Sequence, residues 1–467
     1  MEPVPLIIDV DAVPEAVREN HRALSEADWQ LRRRAFEDRD LLRRDAFPAI
    51  QRAHPFTGLV IQEWPALVAH DVMAELGRLT VELVELVKSL PQRWFGSDPQ
   101  KLADFYGQFP APMMEILLAE PNGIAPSLAR GDFLLDEDGW KCLELNVSSN
   151  LGGWEMDMLR ERYLESSVLT RAFDEIGVEP VGIDPAALLF EHVLEEVGRH
   201  VRDAGDEIRV ALVSGAQAPF PDNPEVRERL GRSFAKATAA RGVRGEVELA
   251  RIDHLQVRGG TVHHAGKRLH ALLLNLVPAR PDLYRCFKAG RLAIFNGPLE
   301  PMLSTKRNLA LLSEHAGSER WTDRERELIA KHLPWTREVR AGETTYDGAA
   351  VDLPAFLLDE RQRLVLKPAL ESGGRGVLVG AAAEPREWRA QVDAALSEGG
   401  WIVQERVESR PFLYRYGDEG AALHRVVWGP FALGQRYGGV VLRLQPLAHG
   451  DVVSVAGGAT GSTVLEV

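Results

Sequence analysis

Two short runs, Arg130-Gly131-Asp132 and Glu144-Leu145-Asn146, hold side chains able to bind a hard metal ion and a phosphate together. Asp, Glu and Asn supply the oxygen ligands that Mg²⁺ prefers, and a neighbouring Arg can steady a phosphate or a developing oxyanion. The chemistry implied is phosphoryl transfer, with Asp132, Glu144 and Asn146 as metal ligands and Arg130 beside them. That chemistry needs all four side chains on one surface. Residues 131–135 and 140–146 read as strands, and Glu137-Asp138-Gly139 fits a three-residue turn with Gly139 in the left-handed position. Such a turn sets Asp136 opposite Trp140, Leu134 opposite Cys142, Asp132 opposite Glu144 and Arg130 opposite Asn146. Side chains alternate at period two, so these residues share one face. The plainer alternative is the polar outer face of an ordinary hairpin.

A second block lies far downstream. Leu364 to Pro368, then Glu371-Ser372-Gly373-Gly374-Arg375-Gly376, then Val377-Leu378-Val379 reads as strand, loop, strand. Lys367 at the strand end can reach phosphate oxygens, and Gly373, Gly374 and Gly376 let backbone N–H groups close over them. A turn with glycines for conformational reasons alone is the competing reading. Residues 401–407, with Gln404, Glu405 and Val407, form a strand of the kind that offers backbone hydrogen bonds to an adenine edge. Lys306 is a second candidate for phosphate, although taken alone it reads as a solvated helix residue. Cys142 falls on the hairpin face but lacks a base and an electropositive pocket, so it reads as structural. His263, His264 and His424 show no metal-ligand spacing and read the same way.

The elements around these blocks divide the chain. Its 467 residues allow two or three domains, and 45% hydrophobic with 27% charged residues is the balance of a soluble globular enzyme. A net charge of −14 without a sustained Lys/Arg cluster argues against nucleic acid as a partner. Two cysteines without a CxxC pair point to a reducing compartment, and the start lacks a basic n-region or a membrane-length apolar run. The expectation is a cytoplasmic protein with no membrane partner. Residues 11–100 carry helical periodicity, clearest at 71–90. The small polar loop 147–153 is placed for substrate contact. Strand patterns at 207–215, 245–252, 268–277 and 291–296, with a helix at 225–240, predict a mostly parallel sheet without a GxGxxG fingerprint. From 301 follow helices at 305–315 and 323–332, then strands and glycine-rich turns.

Lys306, the Lys367-Pro368 strand with its glycine loop, and the Gln404-Glu405 strand together resemble the nucleotide half of an ATP-grasp ligase. Glu144-x-Asn146 resembles that fold's magnesium end. Here it precedes the lysines, as in the circularly permuted ATP-grasp proteins such as the synthetase domain of glutathionylspermidine synthetase. That domain's Arg-x-Asp…Glu-x-Asn pattern is matched by Arg130, Asp132, Glu144 and Asn146. The resemblance covers roughly residues 125–467, though the loop 147–153 departs from the polyamine ligase and points away from a glutathione or spermidine substrate. It implies an α/β (α+β) fold: a helical region at 1–125, the metal hairpin and following helix at 126–190, a Rossmann-like pre-ATP-grasp domain at 191–300, and the nucleotide domain at 301–467. It further implies an ATP- and Mg²⁺-dependent carboxylate–amine ligase working through an acyl phosphate on small-molecule or peptide substrates. Arg130 and one C-terminal Arg, Arg443 ahead of Arg436, would serve catalysis; Arg443 could equally be a solvated strand residue. A catalytically silent scaffold or peptide-binding protein, a phosphotransferase, and the oligomeric state all stay open.

Overall fold

In the helix His70–Arg93, Met73, Leu76, Leu79, Leu83, Val84, Leu86, Val87 and Leu90 recur at three- and four-residue spacing and are all buried. Each such side chain contributes roughly 1.5–3 kcal/mol on leaving water. They cover one face of the largest sheet in the computed structural model, which describes residues 4–51, 60–107, 110–111, 114, 118, 128–149, 157–215, 224–275, 280–297, 299–418, 420–454 and 457–467. The helix approaches that sheet so closely that a Cβ at Gly77 would stand 2.6 Å from the Tyr437 ring.

The eight-stranded sheet runs in the order Val60–Ile61, Thr460–Glu466, Arg436–Pro446, Gly420–Leu433, Leu128–Asp136, Gly139–Val147. Ala66–Val68 adds to Thr460–Glu466, and Phe412–Tyr416 to Gly420–Leu433. Strands from the 1–125 and 301–467 segments therefore meet in one sheet. Strands inside the nominally helical amino-terminal region join the sheet, and strands from 412 onward pair with the hairpin of 128–147 instead of with the rest of the carboxy-terminal part. Periodicity is local, and nothing in it reports partners three hundred residues away.

A parallel four-stranded sheet, ordered Ala293–Phe295, Ala271–Asn275, Glu207–Ser214, Arg244–Arg251, forms where the β-branched runs predicted it. The single run expected over 268–277 is divided. Lys267–Leu269 belongs to a three-stranded antiparallel ribbon and Ala271–Asn275 to the parallel sheet. Asn296, just past Ala293–Phe295, clamps the base of the hairpin. Its Oδ1 accepts from Leu128 N at 2.6 Å and its Nδ2 donates to Leu128 O at 2.7 Å. A third sheet, antiparallel, orders Thr336–Glu338, Trp401–Glu405, Leu364–Pro368, Leu378–Val379. Trp388, Val392, Leu366 and Val403 form its core. The strand Trp401–Glu405 ends two residues short of the expected 407.

The hairpin itself corrects the expected turn. Only Glu137 and Asp138 form the loop, with Asp136 opposite Gly139 at φ +111°. The register then shifts between Asp132 and Phe133, a bulge at Leu143 on the opposite strand, so that Phe133 faces Cys142 while Asp132 faces Glu144 and Arg130 faces Asn146. A shorter turn and a bulge offset one another, and the four chemical residues keep the predicted pairing. Cys142 does not: it faces Phe133 instead of Leu134 and lies in the hydrophobic core. Among the described residues no helix is long and apolar enough to cross a membrane.

Candidate active site

A pocket of about 320 Å³ separates the eight-stranded sheet from the four-stranded antiparallel one. Arg130, Asp132, Glu144 and Asn146 rise into it from the hairpin, and Arg443 joins them from Arg436–Pro446. Val427, on the strand between, pairs with Arg443, and the long guanidinium crosses to Asp132. Arg443 Nη2 lies 2.6 Å from Asp132 Oδ2, and Arg130 Nε lies 3.2 Å from Asp132 Oδ1. Burial alone would raise the Asp132 carboxyl; the charges of Arg443 and Arg130 overcome it and hold the group well below the usual carboxylate range.

Lys306 is no solvated helix residue. It sits 5% exposed at the start of Arg307–Glu314, its Nζ 3.0 Å from Glu144 Oε1 and donating to Glu371 O at 2.5 Å. One ammonium thus ties the hairpin to the glycine loop. Lys367 faces it from the opposite sheet and donates to Gln404 Oε1 at 2.5 Å; the Gln404 amide in turn donates to Thr336 Oγ1 at 3.0 Å. Burial, helped by the nearby Lys306 charge, pushes Lys367 down to about 8, against the opposing pull of Glu144 and Asp132.

Gly373, Gly374 and Gly376 all take φ between +68° and +77°, where other residues are strained. A Cβ at Gly376 would come 2.7 Å from Pro368 Cγ, and one at Gly374 3.1 Å from Val452 Cγ1. The loop therefore folds back on its own strand and against the carboxy-terminal loop. On the 401–407 segment the expected adenine contacts redistribute. Gln404 spends its side chain on Lys367, Glu405 accepts from Tyr346 Oη at 2.8 Å, and the N–H groups of Glu405 and Arg406 go to Trp335 O and Arg363 O. Val407 lines the pocket just beyond them. Arg436 lies elsewhere, paired with Glu195 at 3.0 Å and Glu191 at 3.5 Å.

Five charged pocket residues were not among the candidates read from the sequence: Glu371, Arg375, Arg406, Arg425 and Asp451. Glu371 and Arg375 sit in the loop that was read for its glycines alone, where they pair with each other at 3.0 Å. The others carry no local pattern. Among the described residues no three His, Cys, Asp or Glu side chains gather as a metal cluster; the candidate set is two carboxylates and an amide. Of the loop after the hairpin, Ser148 Oγ donates to Glu300 Oε1 at 2.5 Å and Ser149 Oγ to Leu274 O at 2.5 Å, while 150–153 lie outside the described residues.

No family model matches the chain, and no curated protein matches it either. Among solved structures it is similar to a glutathione synthetase-like effector from Globodera pallida, with 11% identity, a TM-score of 0.51, 87% of this chain and 90% of that one covered. It also aligns with a candidate gamma-glutamylcysteine synthetase from Methylobacillus flagellatus, with 12% identity, a TM-score of 0.39 and coverage of 80% and 88%. The first shows an overall fold shared with that effector, and does not single out the polyamine ligase.

Proposed function

We propose that this chain is an ATP-dependent carboxylate–amine ligase on a circularly permuted ATP-grasp fold, releasing ADP and phosphate. The observation that carries the reading is the meeting of Arg130, Asp132, Glu144 and Asn146 with Arg443, Lys306 and Lys367 in one pocket, from segments spread over three hundred residues. At its centre four cations face two carboxylates, an excess of positive charge suited to a polyanion inside a chain of net charge −14.

In this reading an acid substrate's carboxylate oxygen attacks the γ-phosphoryl group, ADP leaves, and an amine then displaces phosphate from the acyl phosphate to give the amide. Catalysis rests on positioning and charge neutralisation, without a protein nucleophile. Lys306 and Lys367 hold the phosphates, and Arg130 and Arg443 turn from Asp132 toward the acyl phosphate. Asp132, Glu144 and Asn146 are hard oxygen donors fit for Mg²⁺, which supplies charge neutralisation on the transferred group when bound. The glycine loop covers the phosphates, and Val407 is left to meet the adenine edge.

A binding scaffold without turnover is the second reading. It is favoured by the pairing of Asp132 with Arg443 and of Glu144 with Lys306, which balances the acids without a metal. Supplying ATP with pairs of acids and amines separates the two. The ligase yields ADP and amide only when both substrates are present, and ¹⁸O from labelled acid enters inorganic phosphate. Labelled AMP overturns the acyl phosphate route, and no product from any pair favours the scaffold.

A further inference from the structure

Both walls of the pocket hang on one stretch of chain, residues 296–306. Asn296 holds the start of the metal hairpin through Leu128 N and O. Glu300 holds its end. Oε1 accepts from Ser148 Oγ at 2.5 Å, and Oε2 accepts from Asn296 N at 2.9 Å and Ser149 N at 3.4 Å. Ser304 Oγ donates to Val147 O at 2.7 Å, and Lys306 Nζ then reaches Glu144. The Lys306 N–H donates to Ala369 O at 3.0 Å and its Nζ to Glu371 O, so the same stretch also carries the glycine-loop side.

Glu300 stands behind the pocket wall, outside its lining. Its influence runs through the backbone: Ser148 lies two residues beyond Asn146 and one past the end of Gly139–Val147. A carboxylate accepts on both oxygens, so this one side chain ties Ser148 and Ser149 to Asn296, which already fixes the other end of the hairpin. The two sides of the pocket differ in their tolerance of misplacement. Mg²⁺ demands near-ideal octahedral geometry at short ligand distances, so a shift of a fraction of an ångström in Glu144 or Asn146 costs affinity. A lysine ammonium acts on phosphate as a point charge on a flexible stem and absorbs the same shift. Loosening the hairpin end therefore weakens metal before it weakens nucleotide.

We propose that Glu300 is a positioning residue for the metal side of the pocket: by seating Ser148 and Ser149 it sets Glu144 and Asn146 against Lys306. The proposal rests on the reading of this pocket as a site for ATP and Mg²⁺. Calorimetry of ATP binding to the full chain, once with Mg²⁺ and once with EDTA, separates the two sides. Wild type gains affinity when Mg²⁺ is present. In Glu300→Ala the affinity in EDTA stays within about twofold of wild type, because Lys306 and Lys367 are untouched, while the gain from Mg²⁺ shrinks about tenfold. Glu300→Gln restores most of that gain, since its carbonyl still accepts from Asn296 N and its amide still reaches Ser148 Oγ. If Glu300→Ala does not fold, Ser148→Ala breaks the Oε1 contact from the other side and shrinks the gain in the same direction. A full gain from Mg²⁺ in the folded Ala variant overturns the proposal. Equal weakening with Mg²⁺ and with EDTA also overturns it and leaves Glu300 a structural buttress, as does a Gln variant as impaired as Ala. A wild-type chain that gains nothing from Mg²⁺ removes the metal reading and the proposal with it, whereas a wild-type gain that the variants keep removes the proposal alone.

Discussion

Replacing Lys367 by Met should stabilise the protein while removing nucleotide binding. The Lys367 amine is buried and is pushed from its ordinary 10.5 to about 8, so at neutral pH the fold carries an ammonium that its surroundings disfavour. At about 1.4 kcal/mol per pH unit, the gap between 10.5 and about 8 is worth ~3 kcal/mol. The sign follows from proton binding. Below pH 8 both folded and unfolded chains hold the proton and the cost is fully present. Between about pH 8 and 10.5 the folded chain has lost it and the unfolded chain has not, so stability rises with pH. Met keeps most of the aliphatic stem and never carries the charge. Denaturant titration at pH 7 should therefore show a gain approaching ~2–3 kcal/mol, less whatever Gln404 Oε1 loses as an acceptor. The advantage over wild type should shrink as pH rises from 8 to 10. A parallel prediction concerns ATP, whose phosphates favour the ammonium: wild-type affinity should be constant below about pH 8 and fall above it, and the variant should bind weakly at every pH. A variant less stable than wild type at pH 7, with a pH profile parallel to it, would falsify the assignment of the strain to this amine.

Glu144→Gln should abolish turnover with the fold retained, since it removes a metal ligand charge without removing volume; circular dichroism and an ADP assay check both halves. Asn296→Ala should cost about 2–4 kcal/mol by leaving Leu128 N and O without partners, read by denaturant titration, and should lower activity by loosening the hairpin base. Gly376→Ala combines a positive φ with a Cβ 2.7 Å from Pro368 Cγ, and should raise the KM for ATP several-fold while lowering the melting temperature by only a few degrees, read by steady-state kinetics and a thermal melt.

What the sequence made legible is what is encoded locally. The hairpin pairing of Arg130 with Asn146 and of Asp132 with Glu144 follows from two nearby strands and a glycine turn, and it survived a misjudged turn length because the Leu143 bulge restored the register. The helix Asp323–His332 could be read from its Thr322 to Glu325 capping box. Lys306 could be picked out as a phosphate candidate but its burial could not, because that depends on Glu144 and Glu371 arriving from opposite sides of the chain. Asp451 was hidden for the same reason, since its partners Arg406 and Arg425 come from separate stretches of chain. Cys142 was misplaced because a single bulged residue reverses the face of everything beyond it.

The strand Thr460–Glu466 lies between Arg436–Pro446 on one side and the early strands Val60–Ile61 and Ala66–Val68 on the other. On the ribosome, the early strands must wait, with their edges open, until four hundred further residues have been made. The hairpin of 128–147 waits similarly for Gly420–Leu433. The parallel sheet of 207–295 has no such dependence and can form first. Synthesis thus assembles the middle of this molecule before its beginning, leaving a prolonged interval in which exposed strand edges must be shielded from aggregation.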